Sequence, residues 1–310
     1  AAHHGDSRPA GELGQAEGRK TIDAKGMTVC PGFIDAHSHS DAFLLVQPSA
    51  DSKIRQGITT EVVGNCGASA APLAGAYRMP SSWRDKPYPG RWSSVGEFRA
   101  LVEQVRPAPN MVFLAGLNAI RAGIVGYQDR PPTESEMRGM RKTLEQALDE
   151  GARGVSTGLI YSPGTFTTTA EIIELAMVAV ESPRLKAAGV TPVYTSHIRS
   201  EGRGLLDAIA EVIAISRASG IRVQVSHLKT SGKNNWGLVD AALAKIRAAI
   251  AGGLDIHADR YPYTASDTDL DVILPPWASE GGQETVLARL KDRKVRQRLR
   301  DEIMEARGAD

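Results

Sequence analysis

The sequence predicts an α/β fold of the TIM-type (β/α)8 barrel class that stops short of its eighth strand. Strands alternate with helices at a repeat of about 30 residues over 28–263, a pattern typical of βα units in a parallel sheet. Seven strands are predicted before the chain turns polar after Tyr263, which is one fewer than the eight of a complete barrel. In addition, most of the histidines follow predicted strands, at the end of the barrel where this fold class carries its active sites.

The predicted strands are short runs rich in β-branched and apolar residues, and most of the helices between them end at glycines. The strands cover 28–36, 58–63, 110–116, 153–157, 191–196, 222–226 and 255–259. The helices cover 49–56, 95–105, 133–150, 169–188, 204–219 and 238–251, and one charged helix covers 285–307.

Three regions follow from this order. Residues 1–27 precede the first strand and lack structural periodicity. Residues 28–263 form the barrel, which a Pro-, Ser-, Arg- and Trp-rich insertion interrupts at 68–108. Residues 264–310 form a further insertion that ends in the charged helix.

The composition is that of an ordinary globular protein. Of the 310 residues, 42% are hydrophobic and 24% charged, and the formal net charge is +1. This balance gives no electrostatic argument for binding nucleic acid or an anionic membrane, and no apolar run approaches the roughly 18 residues of a membrane span. The two cysteines cannot form a disulfide framework, so we expect reduced thiols and a cytoplasmic location.

The end of strand one carries the strongest chemical signal. The apolar pair Phe33-Ile34 leads into His37 and His39, which are two positions apart. Side chains at i and i+2 of a strand point to the same face, so both imidazoles would project together. A metal or catalytic role and a hydrogen-bonding role at the barrel mouth are both open for this pair. The other histidine pair, His3-His4, lies in the aperiodic N-terminal segment, where we expect disorder and no ligand role.

Three further strand ends carry similar side chains. Strand two ends at Cys66, strand five at His197 and strand six at His227. The two histidines are 30 residues apart, which is one βα unit, so they should be neighbours round the barrel. Thiolate and imidazole ligands suit Zn²⁺, and three protein ligands that leave a fourth position open are typical of catalytic zinc.

Each of these side chains also has a structural interpretation. Cys66 alone would be a small buried hydrophobe, and a single histidine would more often be packed than ligating. His257 lies inside strand seven and is expected to be structural, as is Cys30 in strand one. The coincidence of five residues at strand ends favours a metal site over five separate explanations.

The segment Gly154–Gly158 matches the Gly-x-Ser-x-Gly pattern of a serine nucleophile. That motif needs a helix directly after the serine, whereas a turn-rich segment follows Leu159. A serine hydrolase that uses Ser156 is therefore an alternative that the following residues disfavour.

Together these motifs resemble the metal-dependent amidohydrolase superfamily and, within it, the N-acyl-D-amino-acid deacylases (D-aminoacylases). The segments that carry the resemblance are Pro31–Asp41, Gly64–Gly67, Gly158–Gly164, Ser196–Gly202, Ser226–Lys229 and Asp259–Tyr263. The resemblance implies a TIM-type barrel and the zinc-dependent hydrolysis of N-acyl-D-amino acids, which are small-molecule substrates, to a carboxylate and a D-amino acid.

The resemblance also implies two metal positions. Zinc would be bound by Cys66, His197 and His227, whereas His37 and His39 would belong to a second, weaker position. Hydantoinases and dihydroorotases instead use a carboxylated lysine at the end of strand four. Strand four ends here without a lysine, which favours the cysteine branch and leaves a cyclic amidase as the alternative.

Substrate contacts are implied at three residues. Lys229 resembles the residue that holds the α-carboxylate of the substrate, and Tyr161 and Tyr261 are candidates for hydrogen bonds to the carboxylate and to the oxyanion. Both tyrosines could equally be wall positions.

Two features depart from the family. The catalytic aspartate of the family lies at the end of strand eight, so the general base is expected beyond residue 310, with Asp259 as a doubtful local substitute. The family also has a small β-sandwich formed by both termini, of which only an edge is expected within 1–27. We therefore expect a part of a longer enzyme that is weakly active or inactive alone, and whose open sheet edge exposes apolar residues.

Overall fold

The computed structural model describes residues 22–309, with side chains through residue 305. The chain divides into two compact units, Ala1–Gly32 and Phe33–Asp310. In the described part of the first unit there is no strand, and one turn is closed where the Met27 N–H donates to the Ala24 carbonyl.

Several predictions for the N-terminal unit fall on residues outside the described range. They include the disorder of His3-His4 and most of the sandwich edge expected within 1–27, and they stay predictions. Cys30 lies in this unit as a free, exposed thiol.

The second unit confirms the predicted α/β fold with parallel strands. Its eight strand segments are β1 Phe33–Asp35, β2 Ile58–Val63, β3 Asn110–Phe113, β4 Ala115–Gly116, β5 Gly154–Gly158, β6 Val193–His197, β7 Arg222–Val225 and β8 Ile256–Ala258. Every pairing is parallel, in the orders β1-β2-β3 and β4-β5-β6-β7-β8. Segments β3 and β4 are the two parts of the predicted third strand, which breaks at Leu114. The Leu114 N–H still donates to the Val63 carbonyl, so this strand joins the two sheets.

Helices cover the sheet between successive strands. They are α1 Phe43–Val46, α2 Asp51–Ile54, α3 Val95–Val105, α4 Leu117–Ile124, α5 Glu134–Glu150, α6 Thr169–Glu181, α7 Pro183–Ala187, α8 Leu205–Ser219, α9 Val239–Ala251, α10 Pro276–Ser279, α11 Gln283–Lys291 and α12 Arg293–Ala309. Single 3-10 turns occupy Ser81–Trp83, Gly164–Phe166, Lys233–Leu238 and Leu270–Ile273.

Two predictions of a single helix are wrong, because the structure has two consecutive helices in each segment. The helix predicted over 169–188 breaks at Ser182, since the residue before a proline is pushed out of the helical region, and Pro183 then opens α7. The helix predicted over 285–307 breaks at Asp292. The Asp292 carboxylate accepts the Lys294 N–H at 2.7 Å, so this side chain caps the start of α12.

Three helices, α1, α4 and the four-residue α10, were missed and one was predicted too long. Helix α4 follows β4 directly, and most of its residues are buried, so it shows no amphipathic period from which to predict it. The four-residue helix α1 is too short to give a periodic signal. The helix predicted over 49–56 is only the four residues of α2.

The central strands are buried and the outer strands are exposed. All five residues of β5 are buried, which is typical of a parallel strand covered on both faces. In the described part of the chain, β8 pairs only with β7 and β1 only with β2, so the sheet has two edges. At the β1 edge Phe33 and Ile34 are 57% and 66% exposed, in line with the apolar edge that the sequence predicted.

The packed core lies between the sheet and the helices α3 to α9. It includes Leu144, Ile172, Tyr194, Ile209 and Val223, each with none of its surface exposed. No helix within residues 22–309 combines the length and the apolar character that crossing a membrane requires.

We expect Ile172→Ala to lower the free energy of unfolding by about 2–5 kcal/mol, because it removes methyl groups from a close-packed core site. Ile172 is fully buried on α6. The matched control is Met177→Ala on the same helix, where 41% of the side chain is exposed and a change within about 0.5 kcal/mol is expected. Urea denaturation measures both values, and equal losses would contradict the placement of the core.

Candidate metal centre

Five side chains that follow the carboxyl ends of four strands meet at that end of the sheet. The pairing register explains this, because Gly158 on β5 lies opposite His197 on β6, and Ser196 lies opposite Val225 on β7. Two sets of potential ligand atoms result, each with all of its atoms within 4.8 Å of one another. The first set is Cys66, His197 and His227, and the second is His37, His39 and Cys66.

Cys66 is the residue that both sets share. Its Sγ lies 3.4 Å from His37 Nε2, 3.8 Å from His197 Nδ1 and 3.7 Å from His227 Nε2. The thiol is buried, as are the two histidines of the first set, whereas His39 is exposed and its Nε2 lies 3.3 Å from His37 Nε2. The structure thus brings together all five residues that the sequence predicted as ligands.

The loop after β2 is built to present the thiol of Cys66. Cys66 has a left-handed backbone conformation with φ of 53°, which costs energy for a residue other than glycine. Glycines flank it where the backbone has positive φ and no room for a side chain, since a Cβ on Gly67 would lie 2.2 Å from Asn118 Oδ1. The Ser156 hydroxyl spans the loop, donating to the Gly64 carbonyl and accepting the Gly67 N–H at 3.0 Å.

Ser156 therefore has a structural role in this fold. It is fully buried, and both of its hydrogen bonds go to the loop that carries Cys66. An acyl-transfer nucleophile must instead be accessible and paired with a base. The serine-hydrolase alternative is disfavoured by this geometry.

A partly buried aspartate, Asp259, supports the loop after β7. His227 also has a left-handed conformation, with φ of 38°, and its N–H donates to Asp259 Oδ1 at 2.5 Å. The other oxygen of Asp259 accepts a hydrogen bond from Gln224 at 2.8 Å and lies 3.7 Å from His37 Nδ1. Burial raises the pKa of Asp259, but its contacts with His37 and Gln224 outweigh burial and the pKa falls below its ordinary value. Asp259 is thus an ionised anchor between two of the histidines.

Glu201 is a site residue that the sequence analysis missed. Its Oε1 accepts a hydrogen bond from Lys229 Nζ at 2.5 Å and lies 3.1 Å from His227 Nδ1 and 3.8 Å from His197 Nε2. Burial works to raise the pKa of Glu201, but hydrogen bonding with His227 and the charges of His197 and Lys229 lower it to about 2. Its position four residues after His197, in the loop that leaves the strand, was the signal available in the sequence.

The remaining predicted residues line the same edge. Tyr161 Oη lies 3.4 Å from His197 Nδ1 and 3.0 Å from Thr268 Oγ1. The Tyr261 ring centroid is 6.4 Å from that of His227, and Lys229 Nζ lies 5.5 Å from the Tyr261 centroid. His257, by contrast, is exposed and pairs with Asp255 at 2.7 Å, away from the cluster.

The donor set fits a cation. Burial and the neighbouring His227 lower the pKa of His197 to about 3, so its imidazole is neutral and offers a lone pair. Burial also raises the pKa of the Cys66 thiol well above its ordinary value, and a bound cation would reverse that by stabilising the thiolate. The opposite nitrogens of two of these rings, His37 Nδ1 and His197 Nε2, make no hydrogen bond but lie 3.7 and 3.8 Å from the carboxylates of Asp259 and Glu201. Carboxylates in that position commonly orient metal-bound imidazoles.

The spacing of the donors also fits zinc. Zn–S and Zn–N bonds of about 2.3 and 2.05 Å in a tetrahedral arrangement put sulfur and nitrogen about 3.6 Å apart. In the first set the two Sγ–N distances are 3.8 and 3.7 Å, and in the second set Sγ lies 3.4 Å from His37 Nε2, so both sets come close to that value. A zinc ion could therefore be accommodated with only small side-chain movements.

A family model described as the amidohydrolase family matches residues 20–299. The chain belongs to this family. The resemblance that the sequence motifs predicted is thereby confirmed, and so is the α/β class of the fold.

Relatives within the amidohydrolase family resemble the chain over most of its length. It is 36% identical over 261 residues to the D-aminoacylase of Alcaligenes xylosoxydans xylosoxydans, a match that covers 84% of this chain and 52% of that protein. It is also 36% identical over 276 residues to the N-acyl-D-glutamate deacylase of the same organism, which covers 87% and 53%. The chain spans about half the length of these relatives.

The fold of this chain is also similar to that of a solved deacylase structure. The N-acyl-D-glutamate deacylase from Bordetella bronchiseptica, crystallised with zinc and a phosphonate inhibitor that mimics the tetrahedral intermediate of the reaction, superposes with a TM-score of 0.67. The two chains are 38% identical over 75% of this chain and 48% of the other.

We expect Gly67→Ala to weaken the site by displacing the Cys66 loop. The new methyl group would lie 2.2 Å from Asn118 Oδ1 and 2.7 Å from the Gly158 backbone nitrogen, which cannot move aside. The matched control is Gly126→Ala, where φ is +77° against +74° at Gly67 but nothing lies within 4 Å. The control should cost about 1–2 kcal/mol from its backbone alone, and Gly67→Ala about 1–3 kcal/mol more. Urea denaturation gives both values, and equal losses would show that the contact with Asn118 does not constrain the loop.

Proposed function

We propose that this chain carries the metal-binding part of a deacylase that hydrolyses the amide bond of N-acyl-D-amino acids, using zinc. The convergence of Cys66, His197 and His227, with their ligand atoms within 4.8 Å, is the observation that carries the proposal. The deacylases among the relatives support the substrate class. The products would be a carboxylate and a free D-amino acid.

Zinc is assigned to the first set of ligands, Cys66, His197 and His227, since all three are buried. His37 and the exposed His39 are assigned to a second, weaker position that shares Cys66. When bound, zinc acts as a Lewis acid toward an amide carbonyl and makes water nucleophilic near neutral pH. The protein contributes an ordered, largely dry set of donors, held by the loops after β2 and β7.

The substrate is assigned to the side chains beside the first set. The Lys229 ammonium would hold the α-carboxylate of the N-acyl amino acid by a charge-assisted hydrogen bond. The hydroxyl of Tyr161, 3.4 Å from His197 Nδ1, and that of Tyr261 would donate to the carboxylate or to the oxyanion that develops at the carbonyl.

Proton transfer is assigned to a carboxylate other than Asp259. Both oxygens of Asp259 already accept hydrogen bonds, from the His227 N–H and from Gln224, so Asp259 serves better as an anchor than as a base. The general base of the proposed reaction therefore stays the aspartate that the resemblance to the deacylase family implies.

We expect zinc to raise the unfolding temperature of the wild-type chain and to leave that of Cys66→Ala almost unchanged. At a free zinc concentration of about 100 times the dissociation constant, binding adds about 2.7 kcal/mol to stability. Cys30→Ala is the matched control, because Cys30 is exposed whereas Cys66 is buried. Calorimetry with and without zinc, together with metal content by atomic emission, measures the effect. An unchanged zinc content in Cys66→Ala would show that the ligand assignment is wrong.

We further expect a longer version of the enzyme that includes the segment after residue 310 to release D-amino acids from N-acetyl-D-amino acids. A chelator should abolish the activity and zinc should restore it, because the carbonyl is activated by the metal. A D-amino-acid oxidase assay over a panel of N-acetyl-D- and N-acetyl-L-amino acids, with hydantoin and dihydroorotate as comparison substrates, measures this. Turnover of the cyclic amides alone would favour the cyclic-amidase alternative, and loss of activity to a serine-acylating reagent but not to a chelator would favour the serine hydrolase.

A further inference from the structure

A partly buried carboxylate lies behind both a candidate metal ligand and the candidate substrate lysine. Glu201 Oε1 is 2.5 Å from Lys229 Nζ and 3.1 Å from His227 Nδ1, and 11% of the glutamate side chain is exposed. The opposite nitrogen of the same imidazole, His227 Nε2, faces Cys66 Sγ at 3.7 Å. Glu201 therefore touches the ring on the side away from the metal ligands.

His227 Nε2, which faces Cys66, can be a metal ligand only if Nδ1, which faces Glu201, carries the proton of the neutral ring. A neutral imidazole has a single N–H, and the hydrogen bond at one nitrogen decides which nitrogen keeps its lone pair. Two groups compete for His227 Nδ1 at the same distance, because Lys229 Nζ also lies 3.1 Å away. If Lys229 donates to Nδ1, the proton moves to Nε2 and the ring cannot bind a metal there.

We propose that Glu201 is the positioning residue that settles this competition. Its carboxylate accepts the Nδ1–H of His227, which leaves the Nε2 lone pair for zinc, and it draws the Lys229 ammonium away from the ring. This inference rests on the proposed zinc site. The inference adds a role for Glu201 that is indirect. Through His227 it supports zinc affinity, and through Lys229 it supports binding of the substrate's α-carboxylate.

Charge explains why a glutamate is needed at this position. A lysine ammonium 3.1 Å from a ring nitrogen of a zinc ligand would be repelled by the dication. The Glu201 carboxylate offsets that repulsion and occupies one Lys229 proton. The His227 carbonyl accepts a second at 3.3 Å, so the third stays available for an anionic group. Without Glu201, the ammonium would both lose its anchor and present a donor to His227 Nδ1.

The test is zinc affinity of the full chain, measured by competition with a chromophoric chelator. Removing a carboxylate that orients a metal-bound histidine weakens metal binding by about 10–100-fold, and we expect this for Glu201→Gln. Glu201→Asp, which keeps the charge, should recover part of the loss. The matched control is Glu211→Gln, because Glu211 is also 11% exposed and also pairs with a cation, Arg199, at 2.9 Å. The control should keep wild-type zinc affinity within about twofold.

A second readout does not depend on zinc affinity. Long-range ¹H–¹⁵N spectra of the imidazoles report which nitrogen of His227 is protonated, and we expect the Nδ1–H tautomer in the wild type and a shift toward Nε2–H in Glu201→Gln. Lys229→Met removes the competing donor. It should keep zinc affinity within about twofold while weakening the binding of an N-acetyl-D-amino acid.

The outcomes separate this inference from the proposed function. If the wild-type chain binds no zinc, the proposed function fails and the inference fails with it. If the wild type binds zinc but Glu201→Gln binds it as tightly with an unchanged tautomer, the inference alone is overturned. Equal weakening by Glu211→Gln would also overturn it, because a loss shared with a distant ion pair reflects the fold and not His227.

Discussion

The site depends on one constraint, the in-register pairing of parallel strands. Because β5, β6 and β7 run in the same direction and pair residue by residue, their carboxyl ends emerge together at one edge. The residue that follows each strand end is therefore brought beside its counterparts without any dedicated contact. Strand pairing sets where each loop begins, and the conformation of the loop then sets the direction of its side chain. A slip of one residue in a strand would turn its side chains to the other face and disperse the cluster.

Two strained backbone conformations and two unpaired ring nitrogens lie at this end of the sheet. Both Cys66 and His227 have left-handed backbone conformations, and two buried imidazole nitrogens lack a hydrogen-bond partner. The two strained backbones are held by contacts from or next to a strand, the Ser156 hydroxyl of β5 in one case and the Asp259 carboxylate after β8 in the other. The strain is thus borne where the Cys66 and His227 side chains must be aimed at the cluster.

Local sequence signals predicted the strand order and the candidate ligands, because strand ends are marked by short β-branched runs followed by glycine, histidine or cysteine. They failed where tertiary context decides. Helix α4 is buried on most sides and has no polar face to reveal it. The break at Asp292 depends on a cap that competes with a continuous charged helix. Glu201 was missed because one glutamate four residues after a strand-end histidine is a weak signal, and its role exists only through contact with the loop after the next strand.

The ligands of the first set come from distant parts of the chain. Cys66 is 131 positions from His197 and 161 from His227, and nothing local holds them together. They can meet only after strands from both sheets have paired, which is a late event because closing long loops is entropically slow. A cation bound by all three would therefore be absent from the folding transition state. It would leave the rate of folding almost unchanged and slow unfolding instead, so that the metal would govern how long the folded chain persists.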